Sequence, residues 1–298
     1  MQARLRFAAV GGGLVALFGV ALGIGALVGD PTGSTPDHGA MAHTEQDTGL
    51  SDSRSGYTLT GLSAPADPNR AGALRFRITG PDGVPVTRFT TQHDKKLHLI
   101  VVRSDTTGYR HVHPAMDDTG TWSIDWNWTA PGTYRVFADF VPEQGPGDLV
   151  LSRAVTVAGP AELQPLPPES RSATVDGYQV RMAGDLSTAG SELRFTVTRD
   201  GVPVTDLEPY LGAYAHLVVL RANDLAYLHV HPQGEIGRTP AGPEVGFHAQ
   251  TPGAGAFRLY LDFSHGGVVH TAEFTARVES STAPSTSDGG HHSGGGHP

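Results

Sequence analysis

The amino-acid sequence predicts an all-β protein, built as two tandem antiparallel β-sandwiches after an N-terminal transmembrane helix. Three observations lead to this prediction: a long apolar segment near the N-terminus, an internal repeat that covers most of the remaining chain, and short strand-like runs within each repeat. With 298 residues, the chain is long enough for about two domains of ordinary size.

The composition excludes several classes of function. There is no cysteine, which rules out disulfides, thiolate metal sites and cysteine nucleophiles. Thirty acidic residues against 21 basic ones give a formal net charge of -9, so nucleic acid is not an expected partner. The unusual count is that of histidine, with 15 residues, and the positions of these residues decide the functional interpretation.

Residues 1–29 are predicted to form a signal anchor or transmembrane helix. Arg4 and Arg6 precede an apolar run of 23 residues from Phe7 to Gly29. Such a run is long enough to cross a hydrocarbon core of about 30 Å, with the basic end left in the cytoplasm. We therefore expect a single-pass protein of the cell membrane with extracytoplasmic domains, or a secreted protein if the segment is cleaved.

Two polar segments flank the predicted folded region. Residues 30–54 are rich in Gly, Ser, Thr, Pro and Asp and are expected to form a flexible tether. Residues 280–298 are expected to form a His/Gly-rich disordered tail. Their histidines could gather metal ions loosely; they are His38, His43, His291, His292 and His297.

An internal repeat divides the rest of the chain. Three motifs recur 118 residues later in the same order: Gly-Val-Pro-Val-Thr at 83 and 201, His-Leu with three following aliphatic residues at 98 and 216, and His-Val-His-Pro at 111 and 229. This duplication predicts one β-sandwich repeat over residues 55–158 and a second over residues 172–279. The Pro-rich segment 159–171 is expected to be a short stiff linker.

Each repeat has the pattern of about seven short strands. In the first repeat, runs rich in β-branched and aromatic residues alternate with turn signals; the runs lie near 57–62, 73–79, 97–103, 109–113, 121–126, 133–140 and 149–157. This pattern in about one hundred residues is typical of an immunoglobulin-like or cupredoxin-like antiparallel sandwich, with a barrel as the alternative.

The histidine motifs predict a metal site in each repeat. Residues 104–108 indicate a hairpin turn, and a turn centred between Asp105 and Thr106 places His98 opposite His113, with His111 on the same face. Opposed side chains on neighbouring strands lie about 5 Å apart, so three imidazoles could converge on one ion. The same register in the second repeat gathers a matching set, which is His216, His229 and His231.

A repeated aspartate accompanies these histidines. Asp139 and Asp262 each lie inside a strongly apolar strand. A buried carboxylate is costly unless it is paired, hydrogen-bonded or bound to a metal ion. We therefore expect both aspartates to belong to the metal sites, either as ligands or as groups that orient an imidazole.

The ligand types favour copper, with zinc possible, because imidazole suits both metals and no thiolate is available. Met116 near the first set would add a soft ligand for Cu(I), and His93 could reach the same site. The second repeat lacks this methionine and offers other groups, namely Glu235, His248, His265 and His270. A purely structural His–Asp network is the alternative, and a metalloenzyme is the weakest of the three interpretations, so no enzymatic activity is expected.

These motifs resemble extracytoplasmic copper-associated β-sandwich proteins of the YtkA/FixH-like and CopC-like families. The resemblance rests on the His98 run, the His111-Val-His113-Pro motif, the strand ending in Asp139-Phe140, and their copies in the second repeat. It implies metal handling outside the cytoplasm. Two departures exist: no histidine stands at a predicted mature N-terminus, as CopC-like proteins require, and without cysteine a blue-copper site is excluded.

The expected function is accordingly a membrane-anchored copper buffer, chaperone or resistance factor, with a metal transporter or chaperone as a possible partner. The alternative is a structural or adhesive tandem sandwich whose His–Asp clusters are hydrogen-bond networks.

Overall fold

The computed structural model describes residues 48–68, 70–228 and 230–279, and every regular element in them is a β-strand. Among these residues there is no helix that is long and apolar enough to traverse a bilayer. The predicted anchor, most of the predicted tether and the predicted tail lie outside the described residues. The expectation of an all-β chain with two repeated sandwich domains is confirmed.

The first repeat contains ten strands: β1 Ser53–Arg54, β2 Tyr57–Ser63, β3 Gly72–Thr79, β4 Phe89–Thr90, β5 Leu97–Arg103, β6 Arg110–Val112, β7 Ala115–Met116, β8 Thr121–Trp126, β9 Gly132–Pro142 and β10 Leu149–Val157. One sheet has the order β1-β2-β3-β8-β7, and the other has the order β10-β9-β5-β6 with β4 paired to β9. All seven predicted runs are strands. The three short additions, β1, β4 and β7, have two residues each and leave too little periodicity to be predicted.

The second repeat contains the other ten strands: β11 Ser172–Val175, β12 Tyr178–Ala183, β13 Ser191–Arg199, β14 Val202–Pro203, β15 His216–Arg221, β16 Tyr227–Leu228, β17 Val230–Pro232, β18 Glu244–Ala249, β19 Gly255–His265 and β20 Val268–Val278. Its sheets have the orders β11-β12-β13-β18-β17, with β14 paired to β13, and β16-β15-β19-β20. The two repeats therefore share one strand order.

Each repeat encloses its own apolar core between its two sheets. In the first repeat, alternate residues of β3 such as Leu74 and Phe76 pack against Leu99 and Val101 of β5. Three tryptophans, Trp122, Trp126 and Trp128, are also buried in this core. Burial of side chains of this size contributes about 1.5–3 kcal/mol each, so each core stabilises its sandwich substantially.

A third apolar cluster joins the two sandwiches. Strand β5 is buried at every position, because one face packs into its own core and the other face packs against the second repeat. The junction cluster consists of Ile100, Val102, Phe137 and Val150 from the first repeat and Val218, Leu220, Leu225, Tyr227 and Tyr260 from the second. The sheet with β5 and the sheet with β15 are thus packed face to face.

Aromatic contacts tighten this junction. The rings of Tyr109 and Tyr260 are stacked with centroids 3.9 Å apart and an interplanar angle of 4°. The Tyr260 hydroxyl donates a hydrogen bond of 2.6 Å to the carbonyl oxygen of Thr106. The hairpin between β5 and β6 is therefore anchored to the second repeat.

Residues 48–52, which we call the strap, contact both repeats. The carbonyl oxygen of Thr48 accepts a hydrogen bond of 2.8 Å from the backbone N–H of Tyr227 in the second repeat. The carbonyl oxygen of Gly49 accepts a bond of 2.6 Å from the hydroxyl of Ser152 in the first repeat. The strap therefore belongs to the folded junction, although the sequence predicted a flexible tether through residue 54.

Candidate metal centre at the junction of the repeats

The hairpin between β5 and β6 has the register that the sequence predicted. Leu99 lies opposite Val112, and Ile100 lies opposite His111. Continued by one residue, this register brings His98 opposite His113. The predicted turn is confirmed because Thr106 and Gly108 take the left-handed backbone conformation that tight hairpins need, with φ of 68° and 63°.

The three imidazoles of the first repeat converge. Nδ1 of His98 lies 3.0 Å from Nε2 of His111 and 3.3 Å from Nε2 of His113. The ligand nitrogens of all three lie within 4.8 Å of one another, and they form the one such group of potential metal ligands in the described part of the chain. His98 is 4% exposed, whereas His113 is half-buried at the edge of the cluster.

Asp262 holds this cluster from the opposite repeat. Nδ1 of His111 donates a hydrogen bond of 3.0 Å to Oδ2 of Asp262, and the Tyr109 hydroxyl donates one of 3.1 Å to the same oxygen. The Thr271 hydroxyl donates to Oδ1 over 2.6 Å. Three donors thus satisfy the oxygens of one buried carboxyl group. The predicted partnership of aspartate and histidine is present, but it runs between the repeats.

Asp139 makes the reciprocal contact. It lies opposite His98 in the sheet of the first repeat, and its Oδ2 accepts a hydrogen bond of 3.0 Å from the Tyr227 hydroxyl of the second repeat. Burial and the nearby carboxylate raise the pKa of Tyr227 well above its ordinary value, so the phenol remains a donor. Neither aspartate is part of the group of converging metal-ligand candidates. Asp262 instead orients the ring of His111.

The hydrogen bonds fix which nitrogens carry protons. Nδ1–H of His111 donates to Asp262, so in a neutral His111 the other nitrogen, Nε2, carries only a lone pair. Nε2–H of His98 donates to the Gln92 carbonyl oxygen over 3.2 Å, which leaves a lone pair on Nδ1. These two lone pairs face each other across 3.0 Å. Nδ1 of His98 can accept a hydrogen bond from Nε2–H of His113 over 3.3 Å, and a metal ion at the same place would accept both lone pairs at once.

The surroundings oppose protonation of the neighbouring rings. Burial, followed by repulsion from His111, lowers the pKa of His98 to about 3. Burial, His111 and His98 together lower the pKa of His113 to about 3. For His216, burial and the adjacent His111 and His98 lower the pKa well below its ordinary value. These rings are therefore neutral at pH 7, as metal ligation requires.

The second predicted set is arranged differently from the first. His216 lies beside the first set, with its ring centroid 5.4 Å from His98 and 5.0 Å from His111. His231 is exposed and lies opposite His248 in the sheet. His229 lies outside the described residues. The described members of this set do not converge on one point, because the start of β15 faces the first repeat while His231 pairs with the outer sheet.

The additional candidate ligands that the sequence offered mostly have hydrogen-bond, ion-pair or packing partners away from the histidine cluster. His265 contacts the Tyr178 hydroxyl and Asp206, and His270 contacts Asp176. Met116 packs against the core of the first repeat, opposite Trp122 in the neighbouring strand. Glu235 is exposed and ion-paired with Arg238. His93 does approach the cluster, with its ring centroid 5.4 Å from that of His216 and 6.0 Å from that of His98.

Sequence reasoning missed the tyrosines of the site. Tyr109 stands two residues before His111, and Tyr227 stands 118 residues after Tyr109 at the matching place in the second repeat. This repeated tyrosine was an available signal. The uninterrupted apolar run of β5 was another, because a strand that is apolar at successive positions is covered on both faces.

The fold and the site define a class: tandem immunoglobulin-like β-sandwich proteins in which buried His–Asp–Tyr hydrogen bonds join the two repeats. The chain belongs to the family described as "Domain of unknown function (DUF8832)", whose model matches residues 52–156 and again residues 173–280. No curated protein matches the chain significantly.

Several solved structures resemble the chain at low sequence identity. Invasin, a bacterial integrin-binding protein, is 13% identical over 74% of this chain and 39% of its own, with a TM-score of 0.21. The Escherichia coli adhesin FdeC is 11% identical over 75% of this chain and 65% of its own, with a TM-score of 0.24. Fibronectin(III)-like modules of Clostridium thermocellum CbhA are 12% identical over 79% of this chain and 100% of theirs, with a TM-score of 0.20. These likenesses concern β-sandwich architecture alone.

Proposed function

We propose that this protein binds a transition-metal ion through His98, His111 and His113. The observation that carries the proposal is the 3.0 Å approach of Nδ1 of His98 to Nε2 of His111, while the second nitrogen of each ring has its own partner, the Gln92 carbonyl oxygen and Asp262 respectively. A metal ion accepts the lone pairs of both nitrogens at once and removes their repulsion. Asp262 acts in this arrangement by fixing the tautomer and orientation of His111.

The separations between the nitrogens support this proposal. Nitrogens that each lie about 2.0–2.1 Å from one ion are separated by about 3.3 Å at tetrahedral angles and about 2.9 Å at right angles. The distances from Nδ1 of His98, 3.0 Å to His111 and 3.3 Å to His113, fall in this range. Two of the three nitrogen separations therefore match those of a bound ion, and the third, between His111 and His113, is within 4.8 Å.

Copper is the metal we propose first, with zinc as the second choice, since the three ligands are imidazoles and no thiolate exists in the chain. The basic flank and apolar run of the N-terminal segment support a location outside the cytoplasm, anchored to the membrane or secreted. The corresponding role is a buffer, chaperone or resistance factor that exchanges copper with a transporter or chaperone. The resemblance to copper-associated sandwich proteins agrees with this role.

A structural or adhesive tandem module is the second candidate. The observation that favours it is that the same network already joins the two repeats, through His111 and Tyr109 on Asp262 and through Tyr227 on Asp139. In this alternative Nδ1 of His98 accepts a hydrogen bond from His113, and Asp262 orients His111. The network then serves only to hold the sandwiches together.

Metal titration of the full chain separates the two candidates. Cu(II), Cu(I) and Zn(II) are added to a background variant that keeps the site but carries alanine at the tail histidines, which are His38, His43, His291, His292 and His297. Binding and the shift of the unfolding temperature are recorded, because a ligand that binds only the folded state raises that temperature. The double variant His98→Ala/His113→Ala in the same background is the matched control.

We expect the background variant to bind metal stoichiometrically with a rise in unfolding temperature, and the double variant to lose both effects. Equal, weak binding by the two proteins would overturn the metal proposal and favour the structural network.

A further inference from the structure

His216 of the second repeat is directed at the histidine cluster of the first. It is the first residue of β15 and lies opposite Asp262 in the sheet. Its ring is parallel to that of His98 within 2°, at a centroid separation of 5.4 Å, and lies 5.0 Å from the ring of His111. The residue is 8% exposed.

The Nδ1 atom of His216 is one of seven buried side-chain nitrogen or oxygen atoms without a hydrogen-bond partner in the described part of the chain, and it is the one imidazole nitrogen among them. A buried polar atom without a partner costs about 1–3 kcal/mol, so such an atom in a folded protein calls for an explanation. A lone pair on this nitrogen could be satisfied by a cation bound at the adjacent cluster.

The ring separations are those of imidazoles that share an ion. With metal–nitrogen bonds of about 2.0–2.1 Å, the ring centroids of two tetrahedral ligands lie about 5 Å apart. The centroids of His98, His111 and His113 are separated by 5.0–5.3 Å, and the ring of His216 lies 5.0 Å from that of His111 and 5.4 Å from that of His98. The nitrogens of His216 lie outside the group of ligand atoms within 4.8 Å of one another, so ligation by His216 requires a movement of its side chain toward the cluster.

We propose that the protein binds one ion at the junction, not one ion in each repeat, and that His216 is its fourth ligand. This inference rests on the metal binding proposed above. His98, His111 and His113 supply three ligands from the first repeat, and His216 supplies one from the second. The exposed His231 takes no part.

A shared ion also fastens the two repeats to each other. Its ligands come from β5, the β6 hairpin and β15, which are strands of the two sheets that face each other. Release of the ion removes a bond between the sandwiches, so metal occupancy regulates how firmly the junction is held. The ion acts in parallel with the hydrogen bonds of Tyr109 and Tyr227.

The experiment compares three variants in the full chain that lacks tail histidines. His216→Ala removes the proposed ligand, His216→Gln retains most of its volume, and His231→Ala removes the exposed equivalent of His113. Cu(II) affinity and stoichiometry are measured, and pulsed electron paramagnetic resonance counts the coordinated imidazoles. The unfolding temperature without metal establishes that each variant is folded.

We expect one equivalent of copper in the parent protein and at least a tenfold loss of affinity in both His216 variants, with one imidazole fewer in the spectrum. His231→Ala should leave affinity and stoichiometry unchanged. Unchanged affinity and an unchanged imidazole count in the His216 variants, or two equivalents that fall to one in His231→Ala, would overturn the shared site.

The failures of the two proposals are distinguishable. If the parent protein binds no copper more tightly than the His98→Ala/His113→Ala variant, the metal function itself is wrong. If binding depends on His98 and His113 but not on His216, metal binding stands and only the shared ion is wrong.

Discussion

At the scale of single residues, the decisive feature is that each repeat supplies a partner for an aspartate of the other, for the buried Asp262 and for the half-buried Asp139. Asp262 accepts hydrogen bonds from His111 and Tyr109, and Asp139 accepts one from Tyr227. The burial cost of a carboxylate inside an apolar strand is therefore offset across the junction. This pairing fixes the tautomer of His111 and, through it, the lone pair that faces His98.

Replacement of this carboxylate should weaken the fold. Asp262→Asn replaces a carboxylate that accepts from three donors by an amide, and the amide N–H then faces one of those donors. We therefore expect a loss of about 3 kcal/mol in the free energy of unfolding. Urea unfolding in the presence of a chelator measures the loss without any contribution from metal. Asp206→Asn is the control, because that carboxylate is 81% exposed and its hydrogen bond is to His265. A loss below about 0.5 kcal/mol for Asp262→Asn would contradict the proposed role of the network.

The sequence predicted the need for these partners but not their identity. The cost of burying Asp139 and Asp262 follows from their apolar neighbours, and this could be deduced residue by residue. The identity of each partner could not be deduced, because equivalent histidines in both repeats occupy the same register. Only the packing of one sheet on the other determines which repeat supplies the partner.

At the scale of elements, strands were the most predictable part of the molecule. Strand β3 has a local signal in its sequence, because apolar and polar residues alternate along it. The β5–β6 hairpin has another, because its turn has a fixed centre, and both elements are present as predicted. The second face of β5 depends on contacts with residues more than a hundred positions away. For that reason the sequence did not predict how the described members of the second histidine set are placed: His216 faces the first repeat, while His231 is exposed.

The sequence of the strap has no periodicity that would predict its ordered position. The fit of the strap against the junction depends on one glycine. Gly49 has φ of 62°, and a Cβ at this position would lie 2.6 Å from Cγ1 of Val150 and 3.2 Å from Cβ of Tyr227. Both neighbours are buried in the junction cluster. A side chain at position 49 must therefore push the strap away from the junction.

We expect Gly49→Ala to lower the free energy of unfolding by about 2–3 kcal/mol, from a backbone penalty of about 1 kcal/mol and a steric term of about 1–2 kcal/mol. Gly61→Ala is a matched control, because Gly61 has φ of 61° and open space where its Cβ would lie. Chemical denaturation of both variants isolates the steric term. Equal losses would show that the strap does not press on the junction.

At the scale of the whole molecule, the junction makes the two sandwiches one structural unit. Its apolar cluster is separate from the two sandwich cores, so it can be weakened without emptying either core. We therefore expect the wild-type protein to unfold in a single transition by calorimetry, with equal calorimetric and van't Hoff enthalpies.

Ile100→Asn tests this coupling. Ile100 is fully buried in the junction cluster and belongs to neither sandwich core, so an amide there destabilises the junction by about 2–4 kcal/mol. We expect the single calorimetric transition to broaden or split in two. Val84→Asn, at a position that is 56% exposed, should leave the transition unchanged. A single unshifted transition in Ile100→Asn would mean that the junction contributes little.

The reciprocity of the tyrosine–aspartate contacts has a consequence for symmetry. Tyr109 meets Asp262 and the equivalent Tyr227 meets Asp139, which is the pattern of a two-fold interface in which one patch is its own complement. Each repeat therefore packs against the equivalent face of the other, and the arrangement of the tandem chain resembles that of a homodimer whose two subunits have been fused. A chain with only one such repeat would have to find its other half in a second molecule.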